Sequence, residues 1–316
     1  MLWLLVLACA PEVVDLPAPA AVATGAPPWV VLTVHVEGLL EDHPAHVEEL
    51  RELLAEAAEH GVPLTIEASP EFLADELAYG GTVLQEAQAA GHDVSVHANV
   101  YAHEDSYREA ADHLRGLLRD ERSLGVHPRP HASGLCSQQD WVALAEEAGL
   151  AAAGGIVAYC LRSLDDLPPE YAAYAACDDP AACHERVPLA LPQRLYPWRA
   201  ERGGDWLAEG GDAGLWLVPA AVSYPCAAEA EADPAAESCT ISGEDVPAVA
   251  RALEAAIADR SKERVKAFNL TWSFGSFTSR RQMANLFEMI GERVDDGRAR
   301  WATMDELTDE LDAQGP

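Results

Sequence analysis

Basic residues are scarce in this sequence. Its 316 residues include 21 Lys and Arg against 53 Asp and Glu, which gives a formal net charge of −32 at pH 7. A surface of that sign repels phosphate groups, which argues against nucleic acid or an anionic membrane surface as the partner. The simplest interpretation of the charge is a solvated acidic surface.

Two other features are missing from the chain. No Cys-x-x-Cys pair occurs, so a zinc ribbon is not expected. No repeat period and no internal linker interrupt residues 29–316, which predicts one domain over that range. Apolar residues make up 49% of the sequence, enough to build the core of one large α/β domain.

The first apolar run, MLWLLVLAC, ends at Cys9 and is too short to span a bilayer. A Leu or Val, a small residue and then Cys resembles the lipobox of bacterial lipoproteins, in which the signal is removed before a lipidated Cys. The alternative is an ordinary signal fragment with an incidental Cys. We expect residues 1–9 to be a lipoprotein signal with Cys9 lipidated, and the Pro- and Ala-rich residues 10–28 to be a flexible tether.

Six further cysteines follow Cys9, an even number that suggests disulfides in an exported chain. They are Cys136, Cys160, Cys177, Cys183, Cys226 and Cys239. Short separation favours the pairs Cys177–Cys183 and Cys226–Cys239, which leaves Cys136 with Cys160. The signal and the cysteines together predict an exported lipoprotein of the cell envelope, periplasmic or anchored at the outer membrane.

From Trp29 onward, short β-branched runs alternate with amphipathic helical stretches. This alternation predicts a parallel sheet with crossover helices. About seven such units suit a closed (β/α) barrel better than an open sheet. Functional residues in such barrels gather at the carboxyl ends of strands, and four candidates fall at the ends of predicted strands. They are His35, Glu37, His97 and His131.

Two segments carry the candidate chemistry, TVHVEG at 33–38 and AGHDVSVHANVYAH at 90–103. In order and spacing they resemble the first two motifs of the polysaccharide deacetylase (NodB-homology) family. Those motifs are commonly Thr-Phe-Asp-Asp-Gly, and Gly-His-Glu with a short strand and two histidines. The segment HPRPHASG, from residue 127, resembles the family's Arg-x-Pro-Tyr motif. The resemblance covers residues 29–160, and the C-terminal half only in layout.

The resemblance implies a distorted (β/α) barrel of about seven strands that removes N-acetyl groups from carbohydrate. It also implies a divalent metal, zinc being the expected ion, held by one carboxylate and two histidines. Carried over by position, Glu37 is the metal carboxylate and His97 the first metal histidine. Tyr101 stands where the second histidine is expected, so His103 is the favoured third ligand.

The two positions that the family uses for proton transfer are changed here. His35 stands at the position of the base Asp, and a neutral imidazole accepts a proton near neutral pH. Alternatively His35 is itself a ligand beside Glu37 and His97. The segment FNLTWSFGS, which corresponds to the family's late histidine, carries Trp272 instead.

Arg129 and His131 are the remaining catalytic candidates, Arg129 as the residue that orients the base. Other interpretations stay open, because His35 and Glu37 could form an ion pair at a barrel mouth and His97 could be structural. The ordered histidines argue against a third function, that of a purely structural lipoprotein without metal, and the sequence therefore leaves two functions. One is a metal-dependent deacetylase acting on an envelope or extracellular carbohydrate, and the other is an inactive barrel that binds glycan without cleaving it.

Overall fold

Ten strands form one curled sheet in the computed structural model of this protein. The structure describes residues 26–37, 43–177, 183–184, 186–210, 213–224, 226–232, 242–274 and 280–314. The predicted signal, Cys9 and residues 10–25 of the predicted tether lie outside these ranges, as does Cys239. Within them, no helix is both long and apolar enough to cross a membrane.

The strands are short and most of their residues are buried. They are β1 (Trp29–Val36), β2 (Thr65–Ala68), β3 (Asp93–His97), β4 (His131–Ser133), β5 (Ala152–Ala153), β6 (Trp198–Ala200), β7 (Leu215–Leu217), β8 (Ala220–Tyr224), β9 (Ala267–Phe274) and β10 (Arg300–Ala302). They follow the order β6-β7-β5-β4-β3-β2-β1-β9-β8, and β10 pairs with β1. All described pairings are parallel except β6–β7.

Helices cover the outer face of this sheet. They are α1 (His43–His60), α2 (Pro70–Tyr79), α3 (Val83–Ala89), α4 (Tyr107–Ser123), α5 (Trp141–Glu147), α6 (Leu191–Arg194), α7 (Ala227–Ala232), α8 (Asp245–Ala258), α9 (Arg280–Asp295) and α10 (Met304–Gln314). The predicted distorted (β/α) barrel is confirmed. The extra strands beyond the expected seven are two- and three-residue pieces such as β5 and β10, too short to show a period in sequence.

The central strands bury apolar side chains on one face and polar side chains on the other. Val34, Ile66 and Val94 point outward into the main hydrophobic core beneath the helices. Their neighbours His35 and Glu67 point into the barrel, where both are buried. Strands of parallel sheets usually read as continuous apolar runs. The alternation here therefore marks a barrel with a polar interior.

A second apolar cluster closes the amino-terminal end of the barrel. Val31 of β1 packs there with Met304, Leu307 and Leu311 of α10. The first turn of α10 is tied to the strands, because the Met304 amide donates to Thr65 Oγ1 at 2.9 Å. The barrel interior is thus apolar at its amino end and polar at its carboxyl end.

Two predicted disulfides are present. Cys136 pairs with Cys160, and Cys177 pairs with Cys183. The first of these joins the loop after β4 to the 3-10 helix Ala158–Ser163 after β5. Cys226 is also disulfide-bonded. Its pairing with Cys239 stays a prediction.

Glu121 on α4 is a buried acid with an unusual environment. Its side chain is fully buried and, among the described residues, neither carboxylate oxygen has a hydrogen-bond partner. Burial, assisted by the charge of Glu67, raises the pKa of Glu121 from its ordinary 4.5 to about 8. Because the pKa is raised in the folded state, the folded protein is stable with a protonated Glu121 and is destabilised when Glu121 ionises.

We expect the contribution of Glu121 to the free energy of unfolding to be fully present below pH 4.5 and to be lost as the pH rises through about 8. Glu121→Gln removes this loss and should stabilise the protein at pH 9 by roughly 3–5 kcal/mol, with little effect at pH 4.5. Urea unfolding with a metal chelator present measures both. The matched control is Glu109→Gln, an exposed position on the same helix. Identical pH profiles for the two variants would contradict the prediction.

Candidate metal centre

Three buried side chains from neighbouring strands meet inside the barrel, His35 of β1, Glu67 of β2 and His97 of β3. Each offers one ligand atom, and these atoms lie within 4.8 Å of one another. Strand register produces the meeting, because His35 pairs with Glu67, and Glu67 pairs with Ser95. Side chains alternate along a strand, so His97, two residues beyond Ser95, faces the same interior.

Glu67 is an ionised carboxylate at the centre of the group. Oε1 lies 3.1 Å from His131 Nδ1, and Oε2 lies 3.3 Å from His35 Nε2. Burial acts to raise the pKa of Glu67, but the hydrogen bonds and charges of His131 and His35 outweigh it and hold that pKa well below its ordinary value. Apart from the 3.3 Å contact with His35 Nε2, Oε2 has no donor among the described residues. An anionic, buried oxygen with so little compensation is suited to a cation.

His97 is held as a neutral imidazole. Burial and then the neighbouring charge of His35 lower the pKa of His97 well below its usual range. The two rings lie with centroids 4.4 Å apart. Ser133 Oγ joins them, at 2.7 Å from His97 Nδ1 and 3.1 Å from His35 Nε2. Neutral imidazole is the form that ligates metals.

His131 lies one layer below, behind Glu67, and is 1% exposed. Its Nε2 lies 3.8 Å from Asp93 Oδ2. Asp93 in turn accepts from the Asp305 amide at 2.9 Å, at the start of α10. Ser95 also donates to the His131 carbonyl. The predicted site residue His131 therefore positions Glu67 and lies behind the ligand group.

Arg129 does not contact the ligand group directly but is linked to it through Asp93, which lies beside His131. Its Nε lies 3.4 Å from Asp93 Oδ1, and its Nη1 lies 3.0 Å from Asp305 Oδ2. It was expected to orient the base at His35, but it precedes β4 and so lies toward the amino end of the barrel. There it neutralises two carboxylates below the site.

Two predicted ligands lie outside the group. Glu37 directly follows β1 and is exposed. It shares the inward-facing alternation of His35, but it lies two residues further along the chain, beyond the end of the strand. His103 ends the 3-10 helix Val100–His103, with its side chain 42% exposed. Its ring stacks on His113 at 3.9 Å between centroids.

Glu67 itself was not singled out in sequence. The signal was present, since TIEA places one acidic residue between apolar ones in a short strand. All four residues of β2 are buried. A lone carboxylate in a fully buried strand needs a compensating partner. His35 was already a candidate from the sequence. That Glu67 is its register partner is seen only once β1 and β2 are aligned.

Two glycines make room for the site. Gly134 has φ +64°, and a Cβ there would lie 2.7 Å from the Asn99 amide nitrogen and 3.3 Å from His97 Cε1. Gly155 has φ +58°, and a Cβ there would lie 3.0 Å from Ser133 Cβ and 3.5 Å from His35 Cε1. Larger residues at either position would push on the imidazoles.

Neither a protein-family model nor a curated protein matches this sequence. Solved structures do match its fold. One from Mycobacterium smegmatis, described as a polysaccharide deacetylase, aligns with a TM-score of 0.54 at 18% identity, over 94% of this chain and 95% of that one. One from Pseudomonas aeruginosa, described in the same way, aligns with a TM-score of 0.56 at 11% identity, over 89% of each chain.

The 4-alpha-glucanotransferase of Thermococcus litoralis aligns with a TM-score of 0.58 at 12% identity, over 90% of this chain. The chain spans only 41% of that enzyme's length. At such identities the likeness defines the fold. The protein has the distorted (β/α) barrel of the polysaccharide deacetylases, as its motifs predicted, with a sequence far from the matched structures.

Gly134→Ala tests how tightly the site is packed. We expect a loss of about 2–4 kcal/mol of unfolding free energy, because a positive φ is combined with a clash against backbone. Gly61→Ala is the matched control, since its φ of +63° is nearly the same and a Cβ there meets nothing within 4 Å. It should lose only about 1 kcal/mol. Equal losses in urea unfolding would show that the backbone angle alone decides.

Proposed function

We propose that this protein is a metal-dependent hydrolase of the polysaccharide deacetylase type, which removes acetyl groups from an envelope or extracellular carbohydrate. The carrying observation is the ionised, buried Glu67 between two histidines inside a barrel of that fold. Structures described as polysaccharide deacetylases share the architecture over nearly the whole chain. The type of reaction and the substrate class come from that likeness.

The ligand set fits a borderline divalent ion. His35, Glu67 and His97 would hold it with two imidazole nitrogens and one carboxylate oxygen, a combination that suits zinc. The sparsely compensated Oε2 of Glu67 and the neutral ring of His97 both support the fit. When bound, such an ion polarises a carbonyl and lowers the pKa of water.

The chain's own residues supply orientation. Ser133 fixes the ring planes of His35 and His97 through its hydroxyl. His131 holds Oε1 of Glu67, which leaves Oε2 directed toward the two imidazoles. Groups that orient ligands in this way tune metal affinity, and their removal typically lowers that affinity or the activity tenfold or more.

Hydrolysis also needs a group that accepts a proton from the attacking water. With His35 inside the ligand group, we assign this role to Glu37, which directly follows β1 and is exposed. The two residues thereby exchange the roles expected from their sequence positions. An exposed carboxylate at the barrel mouth has access to both solvent and substrate.

A second candidate function is glycan binding without cleavage. Trp272 of β9 stands where a late histidine was expected, and it is 1% exposed. It packs in the outer core against Tyr224 and Phe274, at 5.4 and 6.4 Å between ring centroids. This strand position therefore offers no proton to a leaving group, which favours an inactive barrel.

The location proposed for the protein is the cell envelope, with an N-terminal lipid on Cys9. The two observed disulfides agree with an oxidising compartment outside the cytoplasm. The matched fold in structures described as polysaccharide deacetylases agrees with a carbohydrate substrate there. Lipid analysis of the mature N-terminus tests the anchor.

Metal content separates ligands from bystanders. We expect near-stoichiometric zinc by mass spectrometry in the wild type, and a loss of at least tenfold in affinity for Glu67→Gln and for His97→Ala. His103→Ala is the control histidine and should keep the metal, because its ring lies on the surface against His113. A variant series in which only His103→Ala loses zinc would overturn the ligand set.

Activity separates the two candidate functions. Acetate release from N-acetylglucosamine oligomers should occur in the wild type and fall at least a hundredfold in Glu37→Gln, with zinc content unchanged. Glu109→Gln, another exposed acid, is the control. Full metal with no acetate release in any sample, together with glycan binding, would establish the non-catalytic function instead.

A further inference from the structure

A separate cavity of about 640 Å³ lies between α6, α8 and the strand β8. None of the candidate metal ligands lines it. Its walls are mostly aliphatic, and they include Val187, Leu189, Leu191, Val222, Ala248 and Ala252. This volume falls within the range of small-molecule sites in proteins, roughly 300–1,000 Å³.

Three arginines also line the cavity, and Arg186 and Arg194 are the two that are not paired with the lining acid Glu231. Both reach the free edge of β8, the last strand of the sheet. Arg186 Nη1 donates to the Ala221 carbonyl at 3.0 Å, and Arg194 Nη1 donates to the carbonyls of Ala220 and Ala221 at 2.9 and 2.6 Å. These bonds anchor one end of each guanidinium, and no described residue supplies an acceptor for the remaining N–H groups.

The charges of these arginines have no described counterion. No carboxylate among the described residues contributes to the environment of either group. Glu231, the acid among the lining residues, is paired with Arg251 at 2.5 Å. Arg194 is 9% exposed, and its Nε has no hydrogen-bond partner in the described part of the chain.

Burial lowers the pKa of Arg194 to about 9, and the charge of Arg186 adds to the effect. The side chain is still a cation at neutral pH. A buried cation beside a half-buried one, with no described anion, is costly, and a ligand that supplies the anion recovers that cost. Guanidinium groups bind carboxylates through paired, planar hydrogen bonds.

We propose that this cavity binds an aliphatic carboxylate, with its head on Arg186 and Arg194 and its hydrocarbon chain along the aliphatic walls. The head needs the two guanidinium groups, whereas the chain needs the surfaces of α6 and α8. An inorganic anion would meet only the first requirement and an alcohol only the second. The proposal is independent of the metal centre and of hydrolysis.

Isothermal titration calorimetry with decanoate tests the proposal. We expect saturable binding of one decanoate per chain, with decanol and inorganic phosphate each binding at least tenfold more weakly. Phosphate that binds as well as decanoate would overturn the aliphatic part of the proposal. A folded wild type without decanoate binding would overturn all of it.

Variants identify the site. Arg194 holds two strand carbonyls, so its loss risks unfolding, and Arg186→Gln is the better charge variant because an amide can still donate to Ala221. Arg186→Gln should lower the affinity for decanoate at least tenfold, and Arg186→Lys should keep more of that affinity. Arg202→Gln, an exposed arginine that does not line the cavity, is the charge control.

Ala252→Phe fills the cavity without touching a charge and should abolish decanoate binding. Ala258→Phe is its control, being exposed on the same helix and absent from the cavity lining. Circular dichroism and urea unfolding confirm that each variant is folded. Wild-type affinity in both Arg186→Gln and Ala252→Phe would show that decanoate binds elsewhere.

Discussion

The buried carboxylate of Glu67 is the constraint on which the central sheet depends. A charge in a barrel interior is tolerated only when partners compensate for lost hydration. Here the partners come from both sides, His35 on β1 and His131 on β4. A slip of one residue in β2 would turn the carboxylate into the outer apolar core. The ionisation of Glu67 and the register of the sheet are therefore specified together.

The same alternation organises the rest of the barrel. Outward positions build the main core with the helices, and inward positions change character along the axis. Val31 belongs to the apolar closure at one end, whereas His35, four residues later, belongs to the candidate metal centre. One strand thus contributes both an apolar side chain to the core and a candidate metal ligand, and these two positions are four residues apart.

Much of the fold could be predicted from sequence because its signals are local. Alternating strands and helices indicated the barrel, and the motif frame correctly brought His35 and His97 together. Glu67 needed information that a single sequence does not hold, namely which strands are neighbours and in which register. Glu37 and His103 were chosen by their spacing from a motif, and spacing cannot tell a residue inside a barrel from one at its rim.

The unpaired arginines could not be found in sequence for a similar reason. Arg186 and Arg194 lie in an irregular stretch, without periodicity to suggest burial. Their importance comes from the free edge of β8, which only the topology reveals. Despite the net charge of −32, no carboxylate in the described part of the chain contributes to the environment of these two cations. An acidic exterior repels small anions, so a ligand here must gain affinity from its apolar part as well.

The position of α10 sets an order on biosynthesis. This helix closes the amino end of the barrel, and the Asp305 amide caps the Asp93 carboxylate that stands behind His131. Both contacts join strands made early to residues made some 200 positions later. A nascent chain consequently carries an open barrel with its charged layer unsupported until residues 304–311 have left the ribosome. That interval is when the chain most needs a chaperone to cover it.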